Sequence, residues 1–237
     1  MARKPPLPPS ADGSVGTTRA SAVYEQLRAD ITHGLLAPSS KLRVEAMCKR
    51  YGVGASPLRE ALSRLSAEGL VDRTEQRGFN VAALQWGELP ILTRSRAQLE
   101  SLALRESINA RDTDWEHELV LLMHQLSRTP RSLALDTYIP NPEWETLHRT
   151  FHRVLLARSP SRWMRGFCDN LADEAYRFRQ VAAGQHFGSR NEHAEHVAIF
   201  ETAIAGDADQ AVNLLVQHYT RTATLIASQA KEGGRSA

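Results

Sequence analysis

The chain has 237 residues, of which 42% are hydrophobic and 24% charged, with 29 Lys and Arg against 27 Asp and Glu. This is ordinary globular composition, enough for one large or two modest domains. No apolar run approaches the roughly 18 residues of a membrane helix, and the opening MARKPPLPPSADGSVG lacks the apolar core of a signal peptide, so a cytoplasmic protein with no membrane partner is expected. Cys48 and Cys168 stand apart, without the CxxC spacing of a metal site, which fits a reducing compartment. Charge is distributed unevenly. Residues 1–85 carry 12 Lys and Arg against 8 Asp and Glu, a net of +4, which leaves 17 against 19 and a net of −2 beyond. A basic first third on a slightly acidic body suits a nucleic-acid-binding head.

In chain order, residues 1–17 mix Pro, Ser, Gly and charge without periodicity and are expected to be a disordered tail. Val23, Leu27 and Ile31 mark a helix over 20–33, stopped by Gly34 and Pro38. A second helix is predicted over 44–51, ending at Gly52, and a third over 57–68, with Pro57 in its first turn and Gly69 past its end. Two short strands, 70–74 and 79–82, then form a hairpin around Glu75-Gln76-Arg77-Gly78. Beyond Trp86 the pattern is helical, with helices near 86–110, 113–127, 142–157, 161–183, 191–205 and 207–229. The expected fold is therefore mostly α. It divides into a winged helix-turn-helix over 18–84 and an all-helical bundle over 85–230.

Two short helices around Gly52-Val53-Gly54-Ala55-Ser56 and a basic hairpin suggest a helix that enters the major groove and a wing that touches the backbone or minor groove. Leu58, Ala61, Leu62 and Leu65 share the inward face of the third helix, so Arg59 and Ser63 point outward. Arg59 could meet a guanine edge or a phosphate. Ser56 is placed to cap the helix or bond a phosphate, while Arg43, Lys49, Arg50, Arg64 and Arg77, with Gly78 at the wing, are candidates for backbone contacts. One such head offers few contacts, so a homodimer on a two-fold operator in double-stranded DNA is expected.

In the body, His148 and His152 lie one helical turn apart beside the stripe of Trp144, Leu147, Phe151 and Leu155. His196 and His218 lie ten and eleven residues from the turn at Gly206-Asp207, so an antiparallel hairpin brings them level. Each could be a satisfied core histidine. Four converging by two independent spacings point to a divalent metal, and a neutral-imidazole site suits Zn or Ni. Arg96 falls between Leu92 and Leu99 on an apolar face, where it either forms a buried salt bridge, to Glu174 or Asp173, or clamps a ligand carboxylate whose other end meets the metal. Arg177 and Arg179 are weaker candidates for that clamp.

The stretch from Ile31 to Val81 resembles the winged helix-turn-helix of the GntR family of bacterial regulators, most specifically at Gly52-Val53, Pro57-Leu58-Arg59-Glu60-Ala61-Leu62, Glu68-Gly69-Leu70-Val71 and Arg77-Gly78. The chain departs from the family at Gly54-Ala55-Ser56, where Ser-Arg-Thr is frequent, and at Glu45, where Arg is frequent, which implies a different operator or more reliance on Arg59. Residues from about 88 to 225 resemble the FCD domain of the FadR subfamily, at Arg96-x-x-Leu99-Glu100, Phe151-His152, Glu195-His196, Ala203-Ile204-x-Gly206-Asp207 and His218. The resemblance implies a metal held by an Asp and three His, with His148 standing here in place of the Asp. His148 with His152, the extra His193, and Gly54-Ala55-Ser56-Pro57 are similar to the carbon-starvation-induced, glutarate-responsive subgroup, which adds His193 to the effector-binding candidates. Together these readings imply a transcription regulator, not an enzyme, and a repressor released by a small carboxylate. The alternatives are a metal-dependent hydrolase, for which neither HExxH nor a clear carboxylate base is seen, and a sensor of metal alone.

Overall fold

The computed structural model describes residues 18–74, 78–134, 136–182 and 190–233. The expected tail and Arg77 lie outside them. The described residues form two compact units: 18–30 with 39–82, and 31–38 with those from 83 on.

The first unit contains most of α1 (Arg19–Thr32), then β1 (Lys41–Leu42), α2 (Val44–Tyr51), α3 (Ala55–Ala67), β2 (Val71–Thr74) and β3 (Gly78–Val81). The strands form an antiparallel sheet in the order β1-β3-β2, with Leu42 opposite Phe79 and Arg73 also opposite Phe79. Strand β1 adds to the expected hairpin, because two residues are too short to show alternation. Its partner is set by the hairpin rather than by its own sequence. Leu27, Leu58, Leu62 and Leu65 are fully buried, so the inward face read from helical spacing is the core of the unit.

One local expectation is corrected. Ser56 does not precede α3 but lies within its first turn, and Gly54 in extended conformation is the N-cap, with no side-chain cap bond. The turn between the helices is therefore Gly52 to Gly54 alone. Gly52 makes this possible by taking φ 64°, a left-handed conformation that costs glycine little.

The second unit is helical: a 3₁₀ turn (Trp86–Glu88) leads into α4 (Leu89–Asn109), followed by α5 (Thr113–Arg128), α6 (Pro142–Leu155), α7 (Arg162–Ala182), α8 (Glu192–Ala205) and α9 (Ala208–Gly233). Side-chain caps begin three of these helices: Asp112 accepts from the Trp115 amide, Asn141 from Glu143 and Asn191 from Ala194. The core gathers around Leu104, Ile108, Trp115, Leu119, Phe151, Leu155, Ile199 and Leu215, all nearly sealed from solvent. The one polar atom of Trp115 is satisfied by donating to the Val154 carbonyl at 2.7 Å. Truncating a sealed ring such as Phe151 in a core of this kind costs about 3–5 kcal/mol.

The turn between α8 and α9 sets the register of the two helices it joins. Gly206 has φ 82°, and the amides of Gly206 and Asp207 close the helix end on the carbonyls of Ala203 and Thr202. A Cβ at Gly206 would lie 2.7 Å from the end of the flexible Arg111 side chain, which can shift, so it is the left-handed conformation that calls for glycine.

Candidate functional site

On the first unit, Arg43, Lys49, Arg50, Ser56, Arg59, Ser63, Arg64 and Gly78 are all solvent-exposed. Ser56, Arg59 and Ser63 follow one another along the outward face of α3, opposite its buried leucines. The others are held in different ways. Arg50 is paired to Asp30 at 2.6 Å, and the Arg64 guanidinium lies 3.9 Å from the Tyr24 ring centre. Lys49 meets Glu45 one turn earlier at 3.4 Å.

On the second unit, α6 presents His148 and His152, α8 presents His196 and α9 presents His218. All four are buried, and the ligand atoms they offer lie within 4.8 Å of one another. His148 Nε2 is 3.1 Å from His196 Nε2 and 3.2 Å from His152 Nε2, and the rings of His196 and His218 are 4.7 Å apart. A tetrahedral ion with metal–nitrogen bonds of about 2.0–2.1 Å needs its ligand nitrogens roughly 3.4 Å apart, so the donor set fits a borderline divalent ion. Burial, reinforced by the neighbouring cations and by one another, pushes His148, His152 and His196 well below the ordinary histidine range. Burial also lowers His218, against the opposing pull of Glu195. Neutral imidazoles are the form that binds metal.

Around the histidines stands a second layer of polar groups. His218 donates from Nδ1 to Glu195 Oε2 at 2.9 Å. Glu195 is gripped by Arg190, whose Nε lies 2.7 Å from Oε1, and despite burial the hydrogen bonds from Arg190 and His218 hold its carboxyl well below the usual range. His152 Nδ1 lies 3.3 Å from the Tyr219 hydroxyl, which donates to Glu100. Such outer partners orient metal-binding imidazoles and fix which nitrogen carries the proton. His148 differs: its Nδ1 is 3.2 Å from Arg179 Nη1, and Arg179 is in turn paired with the buried Glu145. Trp144 stacks flat on the His148 ring at 4.7 Å.

Arg96 and the histidines His148, His152 and His218 line one cavity, together with Arg149, Arg179 and Tyr219. The carboxylate beside Arg96 is neither Glu174 nor Asp173. It is Glu100, one turn along the same helix, 2.6 Å from Nε. The guanidinium also donates from Nη2 to Tyr219 at 3.1 Å, and Nη1 has no partner among the described residues. Glu100 and Tyr219 raise the Arg96 pKa against the effect of burial.

Two effector candidates fall elsewhere. Arg177 is buried against Glu174 at 2.9 Å and does not line the cavity, because it lies two positions from Arg179 and a helix turns those positions apart. His193, exposed in the first turn of α8, lines a separate depression with Arg131, Trp144 and His196. Sequence reasoning misses Glu145 and Tyr219, and names Glu195 only within the motif that carries the resemblance, without a role. The last two are next to histidines already singled out, and adjacency in sequence is a usable signal. Nothing in the sequence links Glu145 to Arg179, 34 positions away.

No helix among the described residues is long and apolar enough to cross a membrane. Residues 19–81 match the family of bacterial regulatory proteins, gntR family, and residues 92–221 match the FCD domain. The chain is 35% identical over 205 residues to the uncharacterized HTH-type transcriptional regulator BphR of Paraburkholderia xenovorans (strain LB400), covering 86% of this chain and 84% of that one. It is 31% identical over 199 residues to the HTH-type transcriptional repressor GlaR of Escherichia coli (strain K12), covering 82% and 90%. Among solved structures it is similar in fold to E. coli McbR/YncC, with a TM-score of 0.76 at 17% identity over 90% of this chain and 99% of that one.

Proposed function

Because this chain belongs to the GntR family of bacterial regulatory proteins and carries an FCD domain, we propose that it is a cytoplasmic, homodimeric repressor released from its operator by a small dicarboxylate. That it is a DNA-binding transcription regulator, not a hydrolase, follows from the family itself. The repressor sign is taken from GlaR. In this reading residues 18–84 are the DNA-binding head and 85–230 the sensing and dimerising body. Arg59 and Ser63 read the groove, while Arg43, Lys49, Arg50, Ser56, Arg64, Arg77 and Gly78 serve the backbone.

The observation that carries the sensor reading is the single cavity in which Arg96 faces the histidine cluster. A ligand carboxylate would meet the free edge of the Arg96 guanidinium, which Glu100 and Tyr219 hold in place. His148, His152, His196 and His218 are the candidates to hold a divalent ion, Zn or Ni, which when bound would supply a Lewis-acidic point for an oxygen of the ligand. Arg149 and Arg179 line the same wall, each already paired with an acid, Asp173 and Glu145, so Arg96 with its free edge is the guanidinium placed to meet a carboxylate. The ligand acts by binding one arrangement of the dimer more tightly than the other, and its differential affinity sets how much DNA is occupied.

The test is operator binding with DNA from upstream of the protein's own gene, titrated with small dicarboxylates such as glutarate. The expected result is a specific, salt-sensitive complex that a dicarboxylate dissociates and that Arg96→Ala renders unresponsive. A complex that follows metal and ignores every acid would replace this reading with a sensor of metal alone.

A further inference from the structure

Resting on the reading that the histidine cluster takes a divalent ion, we infer that only His152, His196 and His218 ligate it, and that Arg179 holds His148 out of the ligand set. The argument is one of hydrogen-bond direction. A guanidinium can only donate, so a neutral imidazole that receives it at Nδ1 carries its single proton on Nε2. His148 is in that position, with Arg179 Nη1 at 3.2 Å and no acceptor for Nδ1 among the described residues. Its Nε2, the atom that faces the other histidines, then has a proton where a ligand needs a lone pair.

The other two histidines with described outer partners are arranged the opposite way. His218 Nδ1 meets the acceptor-only Glu195 at 2.9 Å. Arg190 Nη2 also lies 3.1 Å from that nitrogen, but it is shared with Glu195 and the His218 carbonyl, and the nearer carboxylate gives Nδ1 the acceptor that His148 lacks. His152 Nδ1 meets a Tyr219 oxygen whose own proton goes to Glu100, so that oxygen accepts. Both imidazoles therefore carry the proton on Nδ1 and turn a lone pair inward. Arg179 is kept on His148 by its pairing with the buried Glu145, and Trp144 stacked on the ring keeps it from turning away.

The consequence is a three-histidine centre with an open position, the arrangement of sites that exchange ligands rather than of closed structural ones. His148 becomes a hydrogen-bond donor directed into the space that a ligand oxygen would occupy.

The test is zinc affinity by chelator competition, with long-range proton–nitrogen NMR of the histidines and the visible spectrum of the Co(II) form. His148→Ala is expected to hold zinc within about tenfold of the wild type, the small end of an outer-partner loss, while alanine at His152, His196 or His218 weakens it by more than about 100-fold. In the full-length protein His148 should show the Nε2–H form with and without zinc. Releasing it in the charge-balanced pair Arg179→Met with Glu145→Gln should tighten zinc and change the Co(II) spectrum as a fourth nitrogen joins. Loss of zinc in His148→Ala as severe as at His196, or an Nδ1–H form of His148 in the zinc-bound wild type, would overturn the inference while leaving the metal reading intact. A wild-type protein that binds neither Zn nor Ni would overturn both.

Discussion

The outward face of the first unit and the layer around the histidine cavity of the second hold their arginines in different ways. In the first, Arg43 and Arg59 stand in solvent with no ion-pair partner among the described residues. In the second, Arg96, Arg149, Arg179 and Arg190 are each tied to an acid: Glu100, Asp173, Glu145 and Glu195. The difference matches what the proposed function asks of each surface. Phosphates are met by cations that keep their hydration until counterions are released, so an unpartnered exposed guanidinium costs nothing while it waits. Inside a domain an unpaired charge is unfavourable, and a cation there persists only if the fold supplies its counter-charge. The layer around the histidine cavity of the body therefore contains a lattice of mutually dependent groups, whereas the head combines unpaired arginines such as Arg43 and Arg59 with separate pairs such as Arg50 with Asp30.

The sharpest way to break that contrast is to remove one acid from the lattice. Glu100→Ala strands Arg96 and removes the acceptor of Tyr219. It should lower the unfolding free energy by about 3–5 kcal/mol in urea titrations, and a loss below about 1 kcal/mol would show that the pairing is not what holds the body. On the head, Arg59→Ala should leave unfolding within about 0.5 kcal/mol of the wild type while weakening the operator complex by about 1–3 kcal/mol. A stability loss as large as the binding loss would mean that the head, too, is interlocked. The smallest effect is expected at Lys49, whose side chain is 79% exposed. Lys49→Ala should weaken specific and nonspecific DNA alike and reduce the slope of log affinity against log salt by about 1. An unchanged slope would remove it from the interface.

How far the fold can be read in advance depends on how local each feature is. The helix of His148 and His152, expected over 142–157, spans Pro142–Leu155, because its apolar stripe and the Asn141-Pro142 start are contained within a few turns. The levelling of His196 with His218 follows from counting residues to Gly206. Strand β1 cannot be read, since two residues take their conformation from β3. Ser56 reads as a cap because serine favours that position, whereas here the chain turns on glycines and begins the helix two residues sooner. The apolar stripe around Arg96 points to a partner on α7, although a carboxylate at the next turn of its own helix is nearer.

By itself the sequence determined which residues line up on one face of a helix, where helices stop, and hence that a winged helix-turn-helix precedes a helical body with converging histidines. These are short-range consequences of a 3.6-residue period and of glycine and proline geometry. Only the tertiary structure decided which hydrogen-bond partner each buried side chain receives. Arg179 reaches His148 across 31 positions, and Glu100 meets Tyr219 across 119. The direction of those bonds sets which nitrogen of each imidazole carries its proton. No residue's identity contains that information, because a histidine is equally able to donate from either nitrogen until its neighbours choose for it.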